Sequence, residues 1–137
     1  KKHIVQGSGP NTFIYTFPND DYVGLVNVGY GGSLVTKPHN MFLQTAIQTG
    51  GISLLAFLAI FVIYLIEGFH LYFRKTEYHS SEIFGIGILL GTFGYLVTGL
   101  ANDSTVCVAP VYWCLLGVGM AVNRYNRRKT QKKEADK

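Results

Sequence analysis

Apolar residues gather in three long runs separated by short polar links, at about 52–72, 83–101 and 106–122. Each run is near the roughly 20 residues a helix needs to cross a bilayer, and the third is the shortest. The links "FRKTEYHSSE" and "ANDST" are short enough to make successive helices antiparallel neighbours. Ahead of these runs the pattern changes twice. Residues 1–37 mix Gly, Pro, Asn and Asp with Phe13, Tyr15, Phe17, Tyr22 and Tyr30. That composition suits an interfacial, loop-rich segment, with a short helix or extended piece near Asn11–Phe17 and a turn at "PNDD". Residues 38–51 then place Asn40, Gln44 and Gln48 at i, i+4 and i+8, with Phe42, Leu43, Ala46 and Ile47 on the remaining arc. This is the pattern of an amphipathic helix, one amide-rich stripe beside one apolar stripe.

Pro38 is tolerated in a first helical turn, so this helix is expected to begin at 36–38. Unbroken from Pro38 to Phe73 it would extend about 54 Å, against a hydrocarbon core of about 30 Å. It must protrude, tilt or break, and Gly50-Gly51 is the expected break. The predicted architecture is an all-α membrane fold: an external loop-rich segment, a short amphipathic helix at the outer interface, three transmembrane helices, and a basic tail over 123–137. It reads as a fragment of a larger multi-span bundle, because the chain opens "KKHIVQGSGP" without Met or an apolar signal core.

Composition agrees with a membrane protein. Of 137 residues, 48% are hydrophobic, 16 are glycine and only 15% are charged, too apolar and glycine-rich for an ordinary soluble domain. Charge sets the orientation. Arg124, Arg127, Arg128, Lys129, Lys132, Lys133 and Lys137 crowd the tail, and Arg74 and Lys75 lie in the first link, so both are expected to be cytoplasmic. Residues 1–50 and the "NDS" link then face outward, with Lys1, Lys2 and Lys37 as their basic groups. Beside a membrane helix, the basic tail reads as a topology determinant in contact with anionic lipid, and nucleic acid is not an expected partner. Cys107 and Cys114 share one apolar run, ~10 Å apart along a helix, too far for a disulfide. Gly87 and Gly91 form a GxxxG pair, with Gly94, Gly117 and Gly119 nearby, and suit close helix packing as well as any function.

The candidate chemistry sits where the amphipathic helix begins. His39 and Asn40 stand at a helix N-terminus facing outward, where free backbone N–H groups and the helix dipole favour an anion, and Lys37 adds a full positive charge. A lone external His is more often a surface residue than a catalyst. His3, His70 and His79 are scattered, so no metal site is expected and no cofactor is implied. Asp20, Asp21 and Asp103 are external carboxylates, each first explained as a turn residue.

His39-Asn40, nine residues, then Gly50, leading into a membrane helix, resembles the C-terminal signature of the O-antigen ligase and polymerase superfamily of bacterial membrane glycosyltransferases. The string "KPHNMFLQTAIQTGGISLLAFLA" is similar to members over its whole length, as are "GSGPNTF" upstream and "NDSTVCVAPVYWCLLGVGMAVN" downstream, so nearly the whole chain is covered. The ligase pattern has a second glycine three residues after the first, where this chain has Ser53, a departure that bears on the ligase subclass. The resemblance implies a multi-pass enzyme of the bacterial plasma membrane. Such an enzyme transfers a glycan from a polyprenyl diphosphate carrier to a hydroxyl of an acceptor glycan or lipid, on the external face. Polymerases, ligases and protein O-oligosaccharyltransferases share these motifs. It also implies roles: His39 as general base or diphosphate partner, Lys37 beside the diphosphate, Asn40 orienting His39 or a sugar, and Gln44 and Asp103 as further substrate contacts. The family's external arginines have no counterpart here and would lie upstream, among further transmembrane helices of the same chain, so the fragment alone is expected to be inactive. The alternative is a non-catalytic scaffolding membrane protein whose His39 loop binds a partner.

Overall fold

The computed structural model describes residues 3–73, 75 and 77–136. Lys1, Lys2, Arg74 and Lys137, which the orientation argument used, lie outside the described residues. Seven helices follow one another: α1 (His3–Gln6), α2 (Phe13–Thr16), α3 (Tyr22–Asn27), α4 (Met41–Thr49), α5 (Gly51–Tyr72), α6 (Ser80–Thr98) and α7 (Ala109–Ala135). No strand occurs among the described residues. The all-α expectation holds at this level.

Membrane length is met by two helices, α5 and α6. The third expected span starts later than its apolar run does. Val106–Val108 form a turn, and Pro110 sits in the first turn of α7, where its missing N–H does no harm. The apolar part of α7, Ala109 to Val122, would extend only about 20 Å against a core of about 30 Å. Its remaining residues, expected as a tail, continue the same helix to Ala135. Cys107 consequently lies in the turn and Cys114 in the helix, not on one helical face as expected; both are free and exposed. The α6 helix begins at Ser80, ahead of its apolar run, because Glu82 reaches back to accept the His79 backbone N–H at 3.0 Å, half of a capping box.

The chain divides into two compact units. One holds the chain up to Phe57 together with Thr98–Ser104; the other holds Leu58–Val97 and the chain from Thr105 onward.

In the first unit the loop-rich segment contains three short helical turns where the sequence suggested one. Asp21 caps α3 by accepting from the Gly24 N–H at 3.0 Å. Asn19, from the expected "PNDD" turn, donates to the Ile14 carbonyl at 2.9 Å and accepts from the Val35 N–H at 2.8 Å, closing the loop between them. The break between α4 and α5 falls at Gly50, with φ +91° and ψ 169°, while Gly51 already belongs to α5. The "GSG" stretch completes this joint. The Ser8 and Gly9 N–H groups donate to the Ile47 and Gln48 carbonyls at 2.7 and 3.0 Å, satisfying the C-terminal end of α4. Backbone so close to backbone leaves no room for side chains: a Cβ on Gly7 would lie 2.6 Å from the Gly50 nitrogen.

In the second unit the helices touch at glycines other than the expected GxxxG pair. A Cβ on Gly68 would strike Leu89, one on Gly85 would strike the Tyr72 ring, and one on Gly119 would strike Tyr64. Gly87, Gly91 and Gly117 have open space there instead. Phe61 and Tyr64 are buried, and Tyr95 stacks on Tyr112 with ring centroids 3.7 Å apart. Polar side chains close one end of this unit. The Tyr72 hydroxyl donates to Asn123 Oδ1 at 2.7 Å and accepts from Asn126 Nδ2 at 3.2 Å. Asn126, fully buried, also accepts from the Ser81 hydroxyl at 2.8 Å. Beside them Lys75 pairs with the buried Glu82 and donates to the Thr130 hydroxyl at 3.3 Å.

Candidate functional site

His39 is set by local backbone chemistry. It adopts φ +47°, a left-handed conformation in which His, Asn and Asp are enriched among residues other than glycine. This turn keeps 36–38 out of the helix, so α4 starts at Met41 with Asn40 as its N-cap, later than Pro38 suggested. Asn40 Oδ1 accepts from the Phe42 and Leu43 N–H groups at 3.0 and 2.9 Å. This is a standard asparagine cap.

Three further hydrogen bonds fasten the start of α4 to the 99–104 segment. Asn40 Nδ2 donates to the Leu100 carbonyl at 2.8 Å, the Met41 N–H donates to the Gly99 carbonyl at 2.8 Å, and Gln44 Oε1 accepts from the Ser104 N–H at 3.2 Å. These contacts hold Asp103 against His39, with Asp103 Oδ2 at 3.7 Å from His39 Nδ1. That separation is an ion-pair distance, beyond a hydrogen bond. The two side chains differ sharply in exposure: 64% for His39 and 8% for Asp103. Asp103 Oδ1 is buried with no hydrogen-bond partner among the described residues. A buried carboxylate oxygen left unmatched is costly unless a ligand, water or cation meets it.

The sequence-derived site is thus partly assembled and partly reassigned. His39, Asn40, Gln44 and Asp103 come together. Asn40 and Gln44, expected to meet substrate, use side-chain atoms to join α4 to the 99–104 segment. Lys37 is exposed and has no ion pair among the described residues. The expected anion seat on free N–H groups at the helix start is corrected: Met41, Phe42 and Leu43 N–H are all taken, by Gly99 and Asn40. Of the other carboxylates expected on the external side, Asp21 is a helix cap and Asp20 is exposed, and neither bonds His39. No group of three metal-ligating side chains occurs among the described residues.

The contributions of Gly99, Leu100 and Ser104 are made by backbone atoms and leave no trace in residue type. Asp103 had a usable signal. It was expected as a substrate contact, in the link that the expected topology puts on the same side as His39, and the structure gives it instead as the partner of the imidazole.

Chemically, a carboxylate facing Nδ1 favours the tautomer with the proton on Nδ1, leaving Nε2 as a proton acceptor on an exposed ring. Comparison of the chain with protein-family models, with curated proteins and with solved structures gave no match.

Proposed function

We propose that this chain carries the acceptor-activating part of a membrane glycosyltransferase, which moves a glycan from a polyprenyl diphosphate to an acceptor hydroxyl at the external membrane face. The observation that carries the reading is the His39–Asp103 pair, an exposed imidazole backed by a buried carboxylate. It stands on the motif whose resemblance suggested glycan transfer.

In this reading the acceptor oxygen forms a bond to the anomeric carbon as the bond from that carbon to the diphosphate breaks. His39 Nε2 takes the proton from the acceptor hydroxyl, and Asp103 stabilises the resulting imidazolium. The diphosphate departs with the bonding pair. It is a good leaving group, so the protein's main tasks are positioning and charge stabilisation. Lys37, two residues before His39, supplies a cation on that side. Asn40 and Gln44 act indirectly, by keeping the 99–104 segment in register with α4.

The test is glycan chain-length analysis of cells expressing the full-length protein with His39→Ala. Loss of long or transferred chains at unchanged protein level supports the reading, and an unaltered glycan profile refutes it.

A further inference from the structure

The α7 helix carries a second feature, independent of glycan transfer. Asn123, Asn126 and Thr130 recur at i, i+3 and i+7, one face of a helix. Asn123 bonds Tyr72, Asn126 bonds Tyr72 and Ser81, and Thr130 bonds Lys75. This stripe fixes the rotation of the helix. The remaining arc carries Arg124, Arg127, Arg128, Lys129, Lys132 and Lys133, and all of these except the half-buried Lys129 are exposed. None has a carboxylate partner among the described side chains, which leave out Glu134; their ion pairs are His39–Asp103, Lys75–Glu82 and His79–Glu82. No acidic residue lies between Asp103 and Glu134. Tyr125, 60% exposed, stands among the cations, an amphipathic ring suited to a headgroup layer.

Height along the helix chooses the partner. Asn126 is level with Tyr72 at the end of α5 and Ser81 at the start of α6, the ends of the two helices of membrane-spanning length. Arg124, Arg127 and Arg128 lie within about 3 Å of that level along the axis, while Lys132 and Lys133 stand about 9–10 Å beyond it. A surface potential decays over about 8 Å at physiological salt. The geometry points to a binding surface for anionic phospholipid headgroups, built from Arg124, Arg127 and Arg128 on a rotationally locked helix, with the outer lysines contributing less.

The experiment uses the full chain purified from mixed micelles of phosphatidylglycerol and phosphatidylcholine, with the co-purifying lipids quantified by mass spectrometry. Phosphatidylglycerol is expected to be enriched several-fold around the unmodified protein. The enrichment should be lost in Arg124→Gln/Arg127→Gln/Arg128→Gln, at about fivefold weaker retention per cation removed. Lys132→Gln/Lys133→Gln should lose less. Raising salt from about 0.1 to 0.5 M on the unmodified protein should erase the preference without any variant. Equal retention of the two lipids at low salt overturns the proposal. So does displacement of phosphatidylglycerol by an RNA oligonucleotide or an acidic peptide, which would mark a soluble polyanion as the partner. A chain that leaves the micelle altogether also overturns it, and detergent extraction identifies that outcome as a failure of membrane placement.

Discussion

Replacing Gly50 with alanine tests the joint that presents α4. Its φ of +91° with ψ 169° lies in a region nearly reserved for glycine, which costs another residue about 1–3 kcal/mol. The added methyl would also lie 2.6 Å from the Val5 carbonyl carbon and 2.8 Å from that of Gln6, backbone atoms that cannot rotate aside. Overpacking of this kind adds about 1–3 kcal/mol. The sum, about 2–6 kcal/mol, shifts local opening of the N-terminal segment by about 30-fold even at the low end. Gly51→Ala is the matched control. Gly51 is helical, its Cβ would meet only the Ile4 carbonyl oxygen at 3.2 Å, and alanine gains up to about 1 kcal/mol of helix propensity there. Limited chymotrypsin digestion of the detergent-purified protein reads the difference, because Phe13 and Tyr15 are cleavage points in the segment that opens. Gly50→Ala should be cut much faster there than the unmodified protein, and Gly51→Ala at about the same rate. Equal rates for the two variants would refute the reasoning, since the strain and the close approach belong to Gly50.

Asn40→Ala removes a helix cap and the bond to the Leu100 carbonyl, so thermal denaturation should show a loss of about 1–3 kcal/mol. Asn126→Leu leaves the Tyr72 and Ser81 hydroxyls without their buried partner. A melting temperature several degrees lower is expected, and an unchanged one would count against the network. With Cys107 and Cys114 removed, a cysteine at exposed Ser33 should react with an impermeant thiol reagent on intact cells, and one at exposed Gln131 only after lysis. The reverse pattern would place His39 on the wrong side of the membrane.

The break before α5, the amphipathic α4 and the two long helices were legible because each depends on local pattern: apolar runs, amide periodicity and paired glycines. Boundaries shifted where side chains captured backbone groups. Asn40 took the first N–H groups of α4 and moved its start past Pro38, and Glu82 drew the start of α6 ahead of its apolar run. The GxxxG pair has open space around it, because spacing alone cannot say which helix face meets a neighbour, whereas Gly119, also expected to pack, does meet one. Gly68, Gly85 and Gly119 meet side chains of other helices, whereas Gly87 and Gly91 do not. Within the site, His39 and Asp103 were visible as residue types, but their pairing across 63 intervening positions was not. It depends on backbone carbonyls at Gly99 and Leu100 and a backbone N–H at Ser104, which any residue but proline could supply. The Asn123, Asn126 and Thr130 stripe hid inside a basic stretch, where the cations dominate the pattern.

Glycan transfer by the purified full-length protein, from a polyprenyl-diphosphate-linked donor to acceptor and compared across the unmodified protein, His39→Ala and Asp103→Asn, tests the proposed role of the His39–Asp103 pair most directly. Losing the positioned base should slow transfer by about 10² or more, and losing the carboxylate behind it should slow transfer by about tenfold or more, with both variants folded. Transfer by both variants at the unmodified rate would contradict the account and leave His39 as the residue that turns the chain into α4.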